Sequence, residues 1–145
     1  MSKRRAISMT SVNQAIKLAL EILPKAYTPY SHHKVAAVLI GKSGKAYTGV
    51  NVENAAFSPT ICAERTAFSK AVSEGERSFE RIIVLGGLEG KEKNYLAPCG
   101  VCRQTMMEFC DPETFEVILA KDIGDYKTYL LKDILPLGFG PADLK

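Results

Sequence analysis

Three cysteines and a glutamate carry the chemistry most readily read from this chain: Cys62, Ala63 and Glu64 in one place, and Pro98, Cys99, Gly100, Val101 and Cys102 in another. A CxxC unit alone could be a redox pair, half of a structural zinc site or half of a catalytic one. At a helix start, its spacing puts both sulfurs on one face, and the unpaired amides and helix dipole there favour thiolates. Cys62, also at a predicted helix start, offers a third thiolate. Catalytic zinc sites characteristically use three protein ligands and leave a fourth position for water, whereas structural sites use four. Glu64 beside such an open position fits metal-assisted hydrolysis, because zinc acidifies a water and a nearby carboxylate takes and returns the proton. As an isolated helix residue, the same glutamate would simply face solvent.

The fourth ligand decides between those readings. Cys110 lies eight residues after Cys102, about 12 Å along a continuous helix, while sulfurs sharing one zinc are only about 4 Å apart. It is expected to be a small buried apolar residue. His32 and His33 remain as candidate fourth ligands, although a histidine pair just before a strand more often packs or faces solvent.

The elements that must position these groups follow from apolar periodicity. Ser11 and Gln14 have capping-box spacing, and Val12, Ile16, Ala19, Leu20 and Leu23 recur at helical intervals until Pro24. Val35–Ile40 and Lys45–Val52, joined by the turn-rich Gly41–Gly44, read as a hairpin. Ile61 to Val72 suggests a helix stopping near Gly75. Arg81–Leu88 reads as a central strand covered on both faces, with Gly86 and Gly87 at its end. A helix from Cys99 to Cys110, broken by Asp111 and Pro112, precedes strands at Phe115–Ala120 and Tyr126–Leu130. The order predicts an α/β domain, a mixed sheet of about five strands with helices on both faces in three α/β/α layers. Both cysteine motifs fall where loops enter helices, the usual place for sites in such sheets.

Composition narrows the class. The 145 residues, 46% hydrophobic and 24% charged, suit one packed domain spanning residues 1–145, with no repeat or linker to divide it. Four cysteines, and a start in which Lys3, Arg4 and Arg5 are followed by polar Ser8, Thr10 and Ser11, point to a reducing compartment and hence the cytoplasm. The longest apolar stretch, Val35–Ile40, is far short of the roughly 20 residues of a membrane span. A net charge of +3 spread among 16 acidic residues gives little support to nucleic-acid binding, and the Lys3–Arg5 cluster reads as a solvated tail.

Cys62, Ala63, Glu64 and Arg65, with Pro98 to Cys102, Arg103 and Gln104, resemble the zinc nucleoside deaminases, in which the glutamate is the general acid and base rather than a ligand. Ala26, Tyr27, Pro29, Tyr30 and Ser31, then Asn51 to Asn54, then Leu135, Pro136 and Phe139, extend the resemblance over nearly the whole chain. They narrow it to the small, homotetrameric, all-cysteine cytidine deaminases.

That resemblance implies hydrolysis of cytidine and 2'-deoxycytidine to the uracil nucleosides and ammonia by a zinc-activated water, in pyrimidine salvage. It implies one Zn2+ held by Cys62, Cys99 and Cys102, with Glu64 moving protons. It also implies Asn51 and Glu53 on the ribose 3'-hydroxyl, Ala63 against the substrate, Arg65 on the ligand sulfurs and Phe139 reaching the active site of a neighbouring subunit. Asn51 and Glu53, two apart at a strand end, should face one side of the sheet. The chain departs from the family pattern at His33, where a phenylalanine usually lines the pyrimidine pocket, at Phe57, where a tyrosine often nears the ribose, and at Ala36, usually glycine.

Three rivals are weighed against this reading. A deaminase of a modified cytosine nucleoside, of the blasticidin type, shares the zinc motif, but Glu53 favours cytidine. Editing of RNA or single-stranded DNA would call for a basic groove with stacking aromatics, and the chain has mild charge and no Trp. A structural zinc or redox module would not need Glu64.

Overall fold

Six of the nine residues of strand β1 (His33–Gly41) are buried, because both faces of this strand are covered. The computed structural model describes residues 11–145. The Lys3–Arg5 cluster, Ser8 and Thr10 lie outside the described residues. β1 pairs antiparallel with β2 (Ala46–Val50) on one side and with β3 (Phe79–Leu88) on the other. β3 pairs parallel with β4 (Glu116–Asp122), and β4 pairs antiparallel with β5 (Asp125–Leu130). The resulting order is β2-β1-β3-β4-β5, the mixed five-stranded sheet expected.

The alternation of side chains along each strand sorts the apolar residues into two cores. Ala36, Val38 and Ile40 of β1, Ile83 and Leu85 of β3, and Ile118 and Ala120 of β4 meet Ala15, Ile16 and Ala19 of helix α1 (Val12–Ile22). Ala37, Leu39, Ile82, Val84, Val117 and Leu119 face the other way, onto α2 (Ala63–Ser73) and α3 (Gly100–Phe109). These are the three expected layers. α1 begins where Ser11 Oγ accepts from Gln14 N at 3.1 Å. Past Ile22 it tightens into a 3₁₀ turn, Leu23–Lys25, because Pro24 fits a first turn but not a helix interior. A short helix α4 (Leu131–Ile134) follows β5.

Two boundaries depart from the periodicity. Gly86 and Gly87 do not end β3: they pair with Val35 and Lys34, and a Cβ on Gly86 would stand 2.1 Å from Lys34 O. Neither is a stop: Gly86 is a place of close approach to β1, and Gly87, on which a Cβ would stand 3.2 Å from Lys93 Cα, one of close approach to the following loop. β2, expected through Val52, leaves the ladder after Val50 because Asn51 keeps only half a backbone rung to β1: its N–H still donates to Val35 O at 3.2 Å, but its carbonyl turns to accept from Tyr27 N at 3.0 Å and its side chain takes the other half. Its Nδ2 donates to His33 O at 2.8 Å, and its Oδ1 accepts from Val35 N at 2.9 Å.

One glycine places the first turn of α2. A Cβ on Gly49 of β2 would lie 2.5 Å from Ala63 O and 2.6 Å from Ala67 N, so only glycine lets this helix lie directly on the strand. Gly49→Ala is expected to cost about 1–3 kcal/mol of stability, the usual penalty of overpacking, and to weaken metal binding by shifting Cys62. Thermal unfolding and metal titration check this; an unchanged Tm and metal affinity would contradict it.

Candidate active site

Two helix N-termini converge on one point. Cys62 (φ −74°, ψ 155°) is the N-cap of α2, and Cys99 (φ −68°, ψ 168°) the N-cap of α3. Neither sulfur caps its own helix, and the unpaired amides of both first turns favour negative charge there. Cys102 lies one turn into α3, and its thiol is buried. The Sγ atoms of Cys62, Cys99 and Cys102 all lie within 4.8 Å of one another, with Cys62 and Cys99 at 3.8 Å. Sulfurs on one tetrahedral zinc, each bonded at about 2.3 Å, stand about 3.8 Å apart. Three soft thiolate donors at that separation fit zinc.

Among the described residues, no histidine or carboxylate joins this cluster. His32 turns away, its Nδ1 3.6 Å from Glu89 Oε1. Cys110, just past the end of α3, belongs to the apolar core, where burial pushes its thiol well above the ordinary range.

Charge at the site is arranged around Cys62. The Cys102 thiol and the Arg65 guanidinium, whose Nη2 is 3.6 Å from Cys62 Sγ, hold Cys62 well below the usual thiol range. Arg65 Nε is buried and has no hydrogen-bond partner among the described residues, while its Nη2 faces Cys62 Sγ. Glu64, only 5% exposed, is pushed up to about 7 by burial, with the Cys62 thiolate adding to the rise.

These groups border a cavity of about 200 Å³. Cys62, Ala63, Glu64 and Cys99 form one side, and His33, Val35 and Asn51 another. Val84, Leu96 and Ala97 complete it. A larger hollow of about 420 Å³, beside Lys34, Lys91 and Lys93, contains neither Glu64 nor any of the clustered cysteines.

The structure therefore brings His33, Asn51, Ala63 and Glu64 to the same cavity as Cys62 and Cys99, with Cys102 buried behind them. Three other sequence-derived candidates stand apart from it. Glu53 turns its carboxylate to the Tyr30–Ser31 turn, where Oε1 accepts both backbone amides at 3.0 and 3.1 Å. Phe57 (φ 63°) is 71% exposed and meets Tyr30 edge to face. Phe139, 57% exposed, lies beside α3, where its carbonyl accepts from Gln104 Nε2 at 2.8 Å.

Sequence reasoning missed the apolar walls. Val35 follows His33 by two along β1, so strand parity would have found it. Ala97 precedes Pro98 and could have been found from its place beside the cysteine motif. Leu96 and Val84 carried no comparable signal. Arg103, one residue past the motif, also has a definite place: Nε donates to Pro98 O at 2.7 Å and Nη1 to Ile134 O, tying the cysteine loop to α4.

Comparisons with known proteins agree with this geometry. The family model of the cytidine and deoxycytidylate deaminase zinc-binding region matches residues 9–118, a stretch that contains all three clustered cysteines. A cytidine deaminase of Sporosarcina psychrophila is 44% identical over 120 residues, covering 83% of this chain and 85% of that one. A cytidine deaminase of Halalkalibacterium halodurans is 40% identical over 129 residues, covering 89% and 94%. The crystal structure of cytidine deaminase from Burkholderia pseudomallei superposes with a TM-score of 0.80 at 41% identity, over 90% of this chain and 100% of that one. With a matching zinc-binding region, whole-length relatives and a shared fold, the chain belongs to the cytidine and deoxycytidylate deaminase family.

Proposed function

We propose that this protein removes the exocyclic amine of cytidine and 2'-deoxycytidine hydrolytically, giving the uracil nucleoside and ammonia, as one deaminase domain spanning residues 1–145. The observation that carries the reading is the buried Glu64 sharing a cavity with Cys62 and Cys99, two of the three gathered thiols. Cys62, Cys99 and Cys102 would hold zinc, which when bound supplies Lewis acidity that makes a water more acidic. Arg65 offsets the negative charge of three thiolates on a divalent ion through its contact with Cys62 Sγ.

Glu64 is the proton carrier. Its carboxylate takes a proton from the attacking water and delivers it to the ring nitrogen beside the amine-bearing carbon. A second transfer through the same carboxyl protonates the departing nitrogen, so that a C–O bond replaces the C–N bond and ammonia leaves. Burial keeps bulk water from competing for these protons.

The sugar and base are held by the other walls. Asn51 spends one N–H and one lone pair on β1, which leaves its second N–H and second lone pair for a ribose hydroxyl. Ala63 lines the base side and His33 forms the wall against the pyrimidine. Glu53, turned to the Ser31 turn in the single chain, is assigned the second ribose contact on the family resemblance and not on the cavity lining. Glu53 also favours the ordinary cytosine nucleosides over modified ones.

The exposed Phe57 and Phe139, outside the cavity of their own chain, support a homotetramer in which a neighbouring subunit completes each site. Four cysteines without disulfides suit a reducing cytoplasm. Among the described residues, no helix is long and apolar enough to cross a membrane.

The direct test follows cytidine absorbance with wild type, Glu64→Gln and Arg65→Ala. Losing the proton carrier should lower kcat by roughly 10²–10⁴-fold. Losing the guanidinium should lower metal affinity or turnover by roughly 10–100-fold. Wild type inert on every cytosine nucleoside, or Glu64→Gln as active as wild type, would defeat the enzymatic reading; unchanged kinetics and metal content in Arg65→Ala would remove that residue's role. Sedimentation should give a particle of about four chains, and a fully active monomer would reject the shared site.

A further inference from the structure

Resting on the reading of the cavity as a nucleoside site, we propose that Ser31 is a positioning residue whose hydroxyl ties Glu53 to the backbone of His33 and thereby sets the cavity wall. A hydroxyl has one hydrogen to give and two lone pairs, whereas a carboxylate only accepts. The Ser31 hydrogen therefore goes to Glu53 Oε2, with which Ser31 Oγ makes a short contact. A lone pair on the same Oγ accepts from His33 N at 3.0 Å. Donor and acceptor capacities match along the chain from His33 through Ser31 to Glu53.

The turn held in this way includes a residue outside the commonly populated backbone regions. His32 has φ 58°, the left-handed region that residues other than glycine seldom occupy, so its surroundings must hold it there. His32 N donates to Thr28 O at 3.0 Å, and His32 O accepts from Glu89 N at 2.8 Å. Glu53 gathers the same turn from the other side through the amides of Tyr30 and Ser31.

The residue delivered by this turn is His33, which opens β1 and lines the cavity. Its backbone is gripped at both ends, N–H by Ser31 Oγ and carbonyl by Asn51 Nδ2. Ser31 thus links Glu53, a proposed sugar contact, to His33, the proposed base contact, without lining the cavity itself. Without the hydroxyl, Glu53 Oε2 loses its donor, His33 N–H loses its acceptor, and the strained His32 is freer to relax. Cys62, Glu64, Cys99 and Cys102 belong to α2, α3 and their caps, outside this turn, so metal binding and proton transfer persist.

The test compares zinc-loaded wild type, Ser31→Ala and Ser31→Thr with cytidine. Loss of ground-state holding should raise KM about tenfold in Ser31→Ala with kcat within about a factor of two, as one hydrogen-bond network of this strength implies. Ser31→Thr, which keeps the hydroxyl, should return KM to within about threefold of wild type. In a background carrying both His33→Ala and Glu53→Ala, the KM penalty of Ser31→Ala should shrink to under about twofold, because the hydroxyl acts through those two residues. An unchanged KM in Ser31→Ala, or the same penalty in both backgrounds, overturns the proposal. Amide hydrogen exchange at His33, which needs no turnover, should accelerate in Ser31→Ala and not in Ser31→Thr; unchanged exchange overturns the proposal by itself. Wild type without activity on cytidine would instead strike the nucleoside reading, and the exchange result would still decide the positioning role.

Discussion

Everything at the site depends on two helices starting at the same point in space. Cys62 and Cys99 are far apart in the chain, yet each is the last extended residue before a helix, and each helix packs on the same face of the sheet. The approach of α2 is limited by Gly49, where backbone touches backbone, and α3 is braced by Met106 and Cys102 in the core beneath it. Two sets of unpaired amides then point toward three sulfurs, which lowers the cost of bringing thiolates together before any metal arrives. Glu64, two residues after the N-cap of α2, is carried to the cavity by the same geometry.

The opposite side of the cavity is built by hydrogen bonds rather than by packing. Asn51 replaces half a rung of the sheet ladder with its side chain, fixing His33 and Val35 of β1, while Glu53 gathers the turn that precedes them. The two sides have different tolerances. A helix resting on glycine is intolerant of added volume, whereas a turn organised by one carboxylate and one hydroxyl responds to the loss of a single polar atom. On the proposed function, selectivity for the base and sugar would belong to the second side, and the metal and proton chemistry to the first.

How much of this could be read beforehand follows from where each signal lies. The strands β1, β3 and β4 were legible because both their faces are covered, which leaves long apolar runs, and the cysteine spacing marked the clustered thiols because a helix turn dictates it. The early exit of β2 at Val50 was not legible, since the cause is an Asn51 amide bonding residues 16 and 18 positions away. Gly86 and Gly87 looked like strand ends because sequence alone does not separate a stop from a close approach of neighbouring backbone, β1 at Gly86 and the following loop at Gly87. Asn51 and Glu53 were read as facing one side; the backbone turns away from the sheet between them, so one borders the cavity while the other faces the Ser31 turn. Phe57 and Phe139 entered through family resemblance, and in one chain they stand in the open.

The central claim is that Cys62, Cys99 and Cys102, and not Cys110, hold the metal. Zinc content of the purified protein, measured for wild type and for alanine at each cysteine in turn, tests it most directly. Wild type and Cys110→Ala should each carry about one zinc per chain, and the other three variants should lose most of it. Loss of zinc on replacing Cys110, or full retention after replacing any of the other three, would contradict the account.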